Sequence, residues 1–270
     1  MEKQNKTNFS NFSERRDKSS HVQSVEKALL LVELLAQENR EMSLTEISKC
    51  SGWPKSTIHG LLATLRDYRY IDQSEMTGGY RLGVRFFEVG NVVASSWDIR
   101  RVAMPFMKEL NIRFGEMVQL ATEESGEVLY LEKVESNHLI RIVSEIGRRL
   151  PMHCSGLGKA MLAYMSSSEV KRIVTLHGLQ KLTPRTITTL PQLEKELLIT
   201  RRRGYAVDDR EIMEGLRCVA APIFVESGGV RYAVSISGMS NNMAGTRLEE
   251  MVVAVKEAAK GISRSMGYKI

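Results

Sequence analysis

A chain of 270 residues with 43% hydrophobic and 26% charged residues has room for two domains of ordinary size and the balance of a soluble globular protein. Cys50, Cys154 and Cys218 are odd in number and lack Cys-x-x-Cys spacing, which argues against a disulfide framework or a structural zinc site. No apolar run approaches the roughly 20 residues of a membrane span, and MEKQNKTNFSNFSERRDKSS has no hydrophobic signal core, so a cytoplasmic protein is expected. The net charge of +6 does not by itself indicate nucleic acid, because through Gly83 there are 12 Lys and Arg against 11 Asp and Glu.

Residues 1–20 read as a disordered tail, with Phe9 and Phe12 as its large apolar groups, too few to offset ordering entropy. A winged helix-turn-helix is expected over residues 21–83. Its first helix follows Ser24, taken as the N-cap, with Val25, Ala28, Leu29, Val32 and Leu35 on one stripe. Ser43 and Glu46 then form a capping box ahead of Leu44 and Ile47, and Gly52 permits the positive φ of a sharp turn. A second helix starts at about Pro54, a residue suited to the first helical position. Ile58, Leu61, Leu62 and Leu65 are its inward stripe, which leaves Lys55, Ser56, Thr57, His59 and Thr64 outward. Short polar donors at the start of a second helix suit major-groove reading, whereas a helical hairpin facing water is the alternative for the bare pattern. The flank favours DNA: Tyr70 to Gln73 and Tyr80 to Leu82 around Gly78-Gly79 make a hairpin, the wing. Candidate DNA contacts are Ser43, Thr45, Lys55, Ser56, Thr57, His59, Thr64, Arg66 and Arg81, with Arg69 and Arg85 adding charge nearby.

Residues 84–100 carry Phe86, Phe87, Val89, Val92 and Val93, more apolar surface than one face of a surface helix needs, so this linker helix calls for a partner. A symmetric dimer reading two half-sites would supply one; packing within the chain is the alternative. Asp98 resembles an N-cap for the next helix, which Pro105 should bend. Residues 101–270 alternate short strands and helices, an α+β pattern. Strands are expected at Met117–Thr122, Val128–Val134, Leu139–Glu145, Tyr205–Asp208, Val219–Phe224 and Tyr232–Ser237, several of them antiparallel. Helices are expected at Ser155–Met165, Ser167–Leu176, Leu190–Arg203 and Leu248–Met266. The run Arg201-Arg202-Arg203 ends a helix, where positive charge complements the macrodipole, and receives no binding role.

SVEKALLLVELLA, LTEISKCSGWPKSTIHGLLATL and GGYRLGVRFFEVG, followed in order by LPMHCSGLGKAMLA, GYAVDDREIMEGLRCVAAPI and AVSISG, resemble the IclR family of bacterial transcription regulators over nearly the whole chain. The resemblance implies a GAF-like α+β effector-binding domain, a linker helix that pairs subunits into a dimer or dimer of dimers, double-stranded operator DNA and a small organic acid as partners, and no cofactor. It also implies that Asp208, Cys218, Ser235 and Ser237 supply polar effector contacts, with Leu139, Gly156, Leu157 and Leu216 as the apolar wall. Gly60 departs from the family pattern, standing where an arginine is common on the recognition helix.

The residues themselves support a pocket in a limited way. Ser155 and Gly156 open a helix whose N–H groups favour an anion, with Cys154 beside them, and Ser235 and Ser237 share one strand face. Backbone satisfaction, core packing and turn formation account for the same residues. A cysteine-dependent enzyme of small carboxylic acids would use Cys218 or Cys154 with His153 or His177, but neighbours on a strand, as His153 and Cys154 would be, point to opposite faces. A metal-dependent one would gather His153, Cys154, Asp208 and Cys218, which lack a local ligand pair.

Overall fold

The computed structural model describes residues 22–95, 98–138 and 145–269. The chain divides into two compact units, Met1–Ser96 and Trp97–Ile270.

In the first unit, α1 spans Gln23–Glu38, α2 Leu44–Ser51 and α3 Lys55–Asp67, followed by β1 Ile71–Gln73, β2 Tyr80–Leu82 and α4 Arg85–Ser95. Ser24 is not the cap of α1. Val22 is, in extended conformation, and its carbonyl accepts the first bonds from Val25 and Glu26 N–H, so Ser24 falls inside the first turn. The α2 capping box forms as expected, and Gly52 closes the helix at φ 72°. Pro54 is the N-cap of α3, with ψ 139°, so the helix begins one residue later than expected. Ile58 and Leu62 are fully buried against Leu31, Leu34 and Ile47, with Leu61 and Leu65 partly buried beside them. The wing pairs Ile71 with Leu82 and Gln73 with Tyr80, antiparallel. Gly83 leaves the wing where a Cβ would sit 2.3 Å from the Arg69 carbonyl oxygen, so only glycine permits this approach.

The second unit opens with α5, Asp98–Phe114, and contains β3 Met117–Glu124, β4 Glu127–Val134, β5 Arg149–Pro151, α6 Gly156–Leu162, α7 Ser167–His177, α8 Leu190–Arg203, β6 Ala206–Asp209, β7 Leu216–Phe224, β8 Val230–Met239 and α9 Gly245–Ser265. The six strands form one antiparallel sheet in the order β5-β4-β3-β8-β7-β6. Of the expected strand Leu139–Glu145, residues 139–144 lie outside those described and Glu145 is in no strand, and β5 was not anticipated.

Strand alternation divides this unit into two cores. Val118, Leu120, Val219, Ala221, Val234 and Ile236 pack against α5 and α9. Ala121, Tyr130, Cys218, Ala220 and Ala233 face α6, α7 and α8. Ser235 and Ser237 alternate with Val234 and Ile236 and are buried, so their hydroxyls share the face that α6 covers.

Candidate functional site

On the α2–α3 face, Ser43 Oγ accepts from Glu46 N–H at 3.2 Å and donates to Glu46 Oε2 at 2.8 Å, while Ser43 N–H donates to the same oxygen at 2.8 Å. The backbone N–H of Ser43, its hydroxyl and then Arg40 hold the Glu46 carboxyl down to about 2. Ser43 therefore serves as a cap and has both its donors committed. Lys55 Nζ donates to Thr45 Oγ1 at 2.8 Å, tying α3 to α2. Arg66 donates to Gln73 Oε1 at 2.7 Å, and Arg81 to Glu41 Oε1 at 3.2 Å, so each cation is held beside the wing while remaining exposed. Thr64 Oγ1 returns to the Gly60 carbonyl at 3.0 Å. Ser56 and His59 are exposed, Thr57 is half-buried, and a Cβ at Gly60 would meet open space. The first turns of α3 thus present Ser56, Thr57 and His59, without side-chain hydrogen bonds among the described residues, between the anchored cations Lys55 and Arg66.

In the second unit, register brings the distant polar residues together. Asp208 pairs with Cys218, and Cys218 with Ser237, a row across β6, β7 and β8. The row faces a cavity of about 70 Å³ whose other walls include Ser155, Gly156, Leu157 and Leu216. Gly156 makes room there: a Cβ would lie 2.9 Å from Cys218 Sγ and would force that side chain to shift. Ser155 Oγ accepts from Gly158 N–H and donates to the Pro151 carbonyl, both at 3.0 Å, so its hydroxyl caps α6. Ser235 and Cys154 are buried but do not line the cavity, and Leu139 lies outside the described residues. Gln119, Tyr130, Arg148, Leu150, Ile212 and Met213 line it without having been anticipated. Gln119 Oε1 accepts from Ser237 Oγ at 2.9 Å. A lone amide within the apolar run MVQLA was the available sign of it.

Burial pushes Asp208 up to about 7, against the 2.7 Å bond that its Oδ1 accepts from Glu211 N–H. The folded state therefore holds a proton that the unfolded chain releases near 3.8. This contribution to stability is complete below that value and disappears as pH rises through about 7. Comparing urea unfolding of the wild type and Asp208→Asn across this range should show the wild type losing ground with rising pH; parallel profiles would refute it.

Beside Asp208, the Lys159 ammonium is 1% exposed and bonded to Glu211 Oε1, a carboxyl that burial raises despite this partner. Glu211 Oε2 is buried without a hydrogen-bond partner among the described residues.

Burial pushes both Cys154 and Cys218 up to about 12, which keeps them as thiols near neutrality. His153 Nε2 bonds the Gln180 carbonyl at 3.1 Å and His177 Nε2 the Ser125 carbonyl at 2.8 Å, so neither ring activates a cysteine through that nitrogen. His153 and Cys154 lie in a turn rather than a strand, so strand alternation does not describe them. Among the described residues no three His, Cys, Asp or Glu side chains gather to hold a metal ion. No helix among them is long and apolar enough to cross a membrane.

The profile described as "IclR helix-turn-helix domain" matches residues 24–75, and that described as "Bacterial transcriptional regulator IclR C-terminal" matches residues 91–264. The HTH-type transcriptional regulator XynR of Escherichia coli K12 is 36% identical over 92% of this chain and 98% of its own. The transcriptional repressor IclR of the same strain is 35% identical over 92% of each chain. The solved structure of an IclR homologue from Microbacterium hydrocarbonoxydans, complexed with 4-hydroxybenzoate, superposes with a TM-score of 0.80 at 26% identity, covering 90% of this chain and 98% of that one. With a helix-turn-helix domain ahead of an α+β effector domain, and relatives named as transcriptional regulators, the chain belongs to the IclR family of bacterial transcriptional regulators.

Proposed function

We propose that the chain represses transcription by binding operator DNA as a homodimer or homotetramer, and that a small organic acid in the cavity of the C-terminal domain controls it. The observation that carries the effector half is the buried row Asp208, Cys218 and Ser237 opening on a cavity, in a chain similar to an IclR homologue solved in complex with 4-hydroxybenzoate. Arg148 adds an exposed cation to the cavity lining, suited to a carboxylate. In this reading residues 21–83 bind DNA, residues 84–100 link and pair subunits through exposed groups such as Phe87, and residues 101–270 sense the effector.

Ser56, Thr57 and His59 read base edges, while Lys55, Arg66 and Arg81 meet phosphates. Ser56→Ala or Thr57→Ala should cost about 1–3 kcal/mol on the operator alone. Lys55→Ala should weaken binding on all sequences and lower the salt slope by about 1. Equal losses on operator and random DNA for all three variants would remove the base-reading assignment.

An effector shifts operator affinity only by binding the DNA-competent and incompetent arrangements unequally. The direct test is a footprint on DNA upstream of the protein's own gene, with and without a pool of small organic acids. Two-fold-symmetric protection that changes with the pool is expected. No protection at low salt there or on neighbouring promoters would refute the operator reading, and protection indifferent to every acid would refute the effector reading.

A further inference from the structure

The C-terminal domain contains a second, larger cavity. β6 covers β7 only from Arg217 to Ala220, so among the described residues the remaining length of β7 has no strand on that side. Pro222 has no N–H to offer a strand there, and Phe224 N–H donates to Ser263 Oγ of α9 at 2.9 Å. This stretch of edge is therefore closed to a further strand, and a hollow of about 490 Å³ lies against α9 instead. Its size falls within the roughly 300–1,000 Å³ of organic-ligand pockets.

Three rings build its apolar part. Gly267, at φ 84°, turns the chain after α9 so that Tyr268 stacks on Phe224 with centroids 4.9 Å apart, and Tyr164 meets the same ring edge-on at 5.0 Å. Cations occupy the rim. Lys256 and Lys260 stand four residues apart on α9, and Arg201 lies over Tyr164 at 5.7 Å. Lys256 Nζ is steadied by the Arg203 carbonyl at 2.9 Å. Lys260 is exposed and has no carboxylate within salt-bridge distance among the described residues, and Glu257 is the acidic side chain of the lining.

We propose that this cavity is a second ligand site, for an amphipathic carboxylate whose apolar body lies among Tyr164, Phe224 and Tyr268 and whose charge meets Lys260. The probe is anilinonaphthalene sulfonate, an amphipathic anion, titrated by fluorescence into the full-length protein with decanoate as competitor. Saturable binding displaced by decanoate is expected, weakened about tenfold by the charge reversal Lys260→Glu and unchanged by Ser237→Ala in the other cavity. Val253, 55% exposed on the lining, supplies an independent variant, Val253→Glu, that should weaken the probe without changing particle mass by light scattering. No saturable binding, binding indifferent to Lys260→Glu, or binding lost with Ser237→Ala would overturn the proposal. So would a fall in mass for Val253→Glu, which would make the hollow a contact with a second copy of the chain.

Discussion

Replacing Glu211 with alanine should destabilise the C-terminal domain by about 3–5 kcal/mol, because it strands the Lys159 ammonium in the interior. Lys159 is 1% exposed, and Glu211 Oε1 is its carboxylate partner. Without that partner the buried charge must find another, or the helix carrying it must move. Paired replacement by Lys159→Met and Glu211→Leu should recover most of the loss, since it removes both desolvated charges and the orphaned Oε2 together. The Glu211 backbone is held separately, its carbonyl accepting from Thr186 Oγ1 at 2.7 Å, so the loop should keep its course in the double variant. Urea unfolding followed by circular dichroism decides this. A single variant as stable as the wild type would show that Lys159 finds another partner in the fold.

Gly158→Ala should cost about 3 kcal/mol or more, for a different reason. A Cβ there would lie 2.3 Å from the Met152 carbonyl oxygen and 2.5 Å from Met152 Cα, both backbone atoms that cannot rotate away. The added methyl must push α6 off the turn that precedes it, breaking the Ser155 cap and enlarging the gap beneath Cys218. A fall in melting temperature of about 6 °C or more is expected for a chain of this size. Gly60→Ala is the control: its Cβ would meet nothing within 4 Å, and it should hold or slightly raise stability. Comparable losses at both positions would mean that helix geometry, rather than contact, is responsible.

The N-terminal unit was legible because its rules are local. The Ser43 and Glu46 box acts within one turn, Gly52 acts on its own backbone, and the wing is a short hairpin. Where two local preferences competed, the sequence misled: Ser24 looks like a cap, yet the Val22 carbonyl takes the first helical bonds. In the second unit the decisive relations are long-range. Gln119 meets Ser237 from 118 residues away, and Lys159 meets Glu211 from 52. Nothing in either local segment specifies the partner. Family resemblance supplied the row Asp208, Cys218 and Ser237, but it did not supply the buried ion pair beside it. β5 was missed because Arg149, Leu150 and Pro151 are too short a run to show alternation.

Open space around Gly60 among the described residues leaves room for an arginine at the centre of α3. Such a substitution would remove glycine's helix penalty of about 1 kcal/mol and add a cation within reach of phosphate. Its effect would fall on responsiveness. A site is emptied by a ligand only when the protein's concentration lies near its dissociation constant, and couplings of about 1–3 kcal/mol move that constant by about 5- to 150-fold. On the proposed function, a chain that grips its operator far below its own cellular concentration would stay bound through much of that range, and Gly60→Arg would move the protein that way.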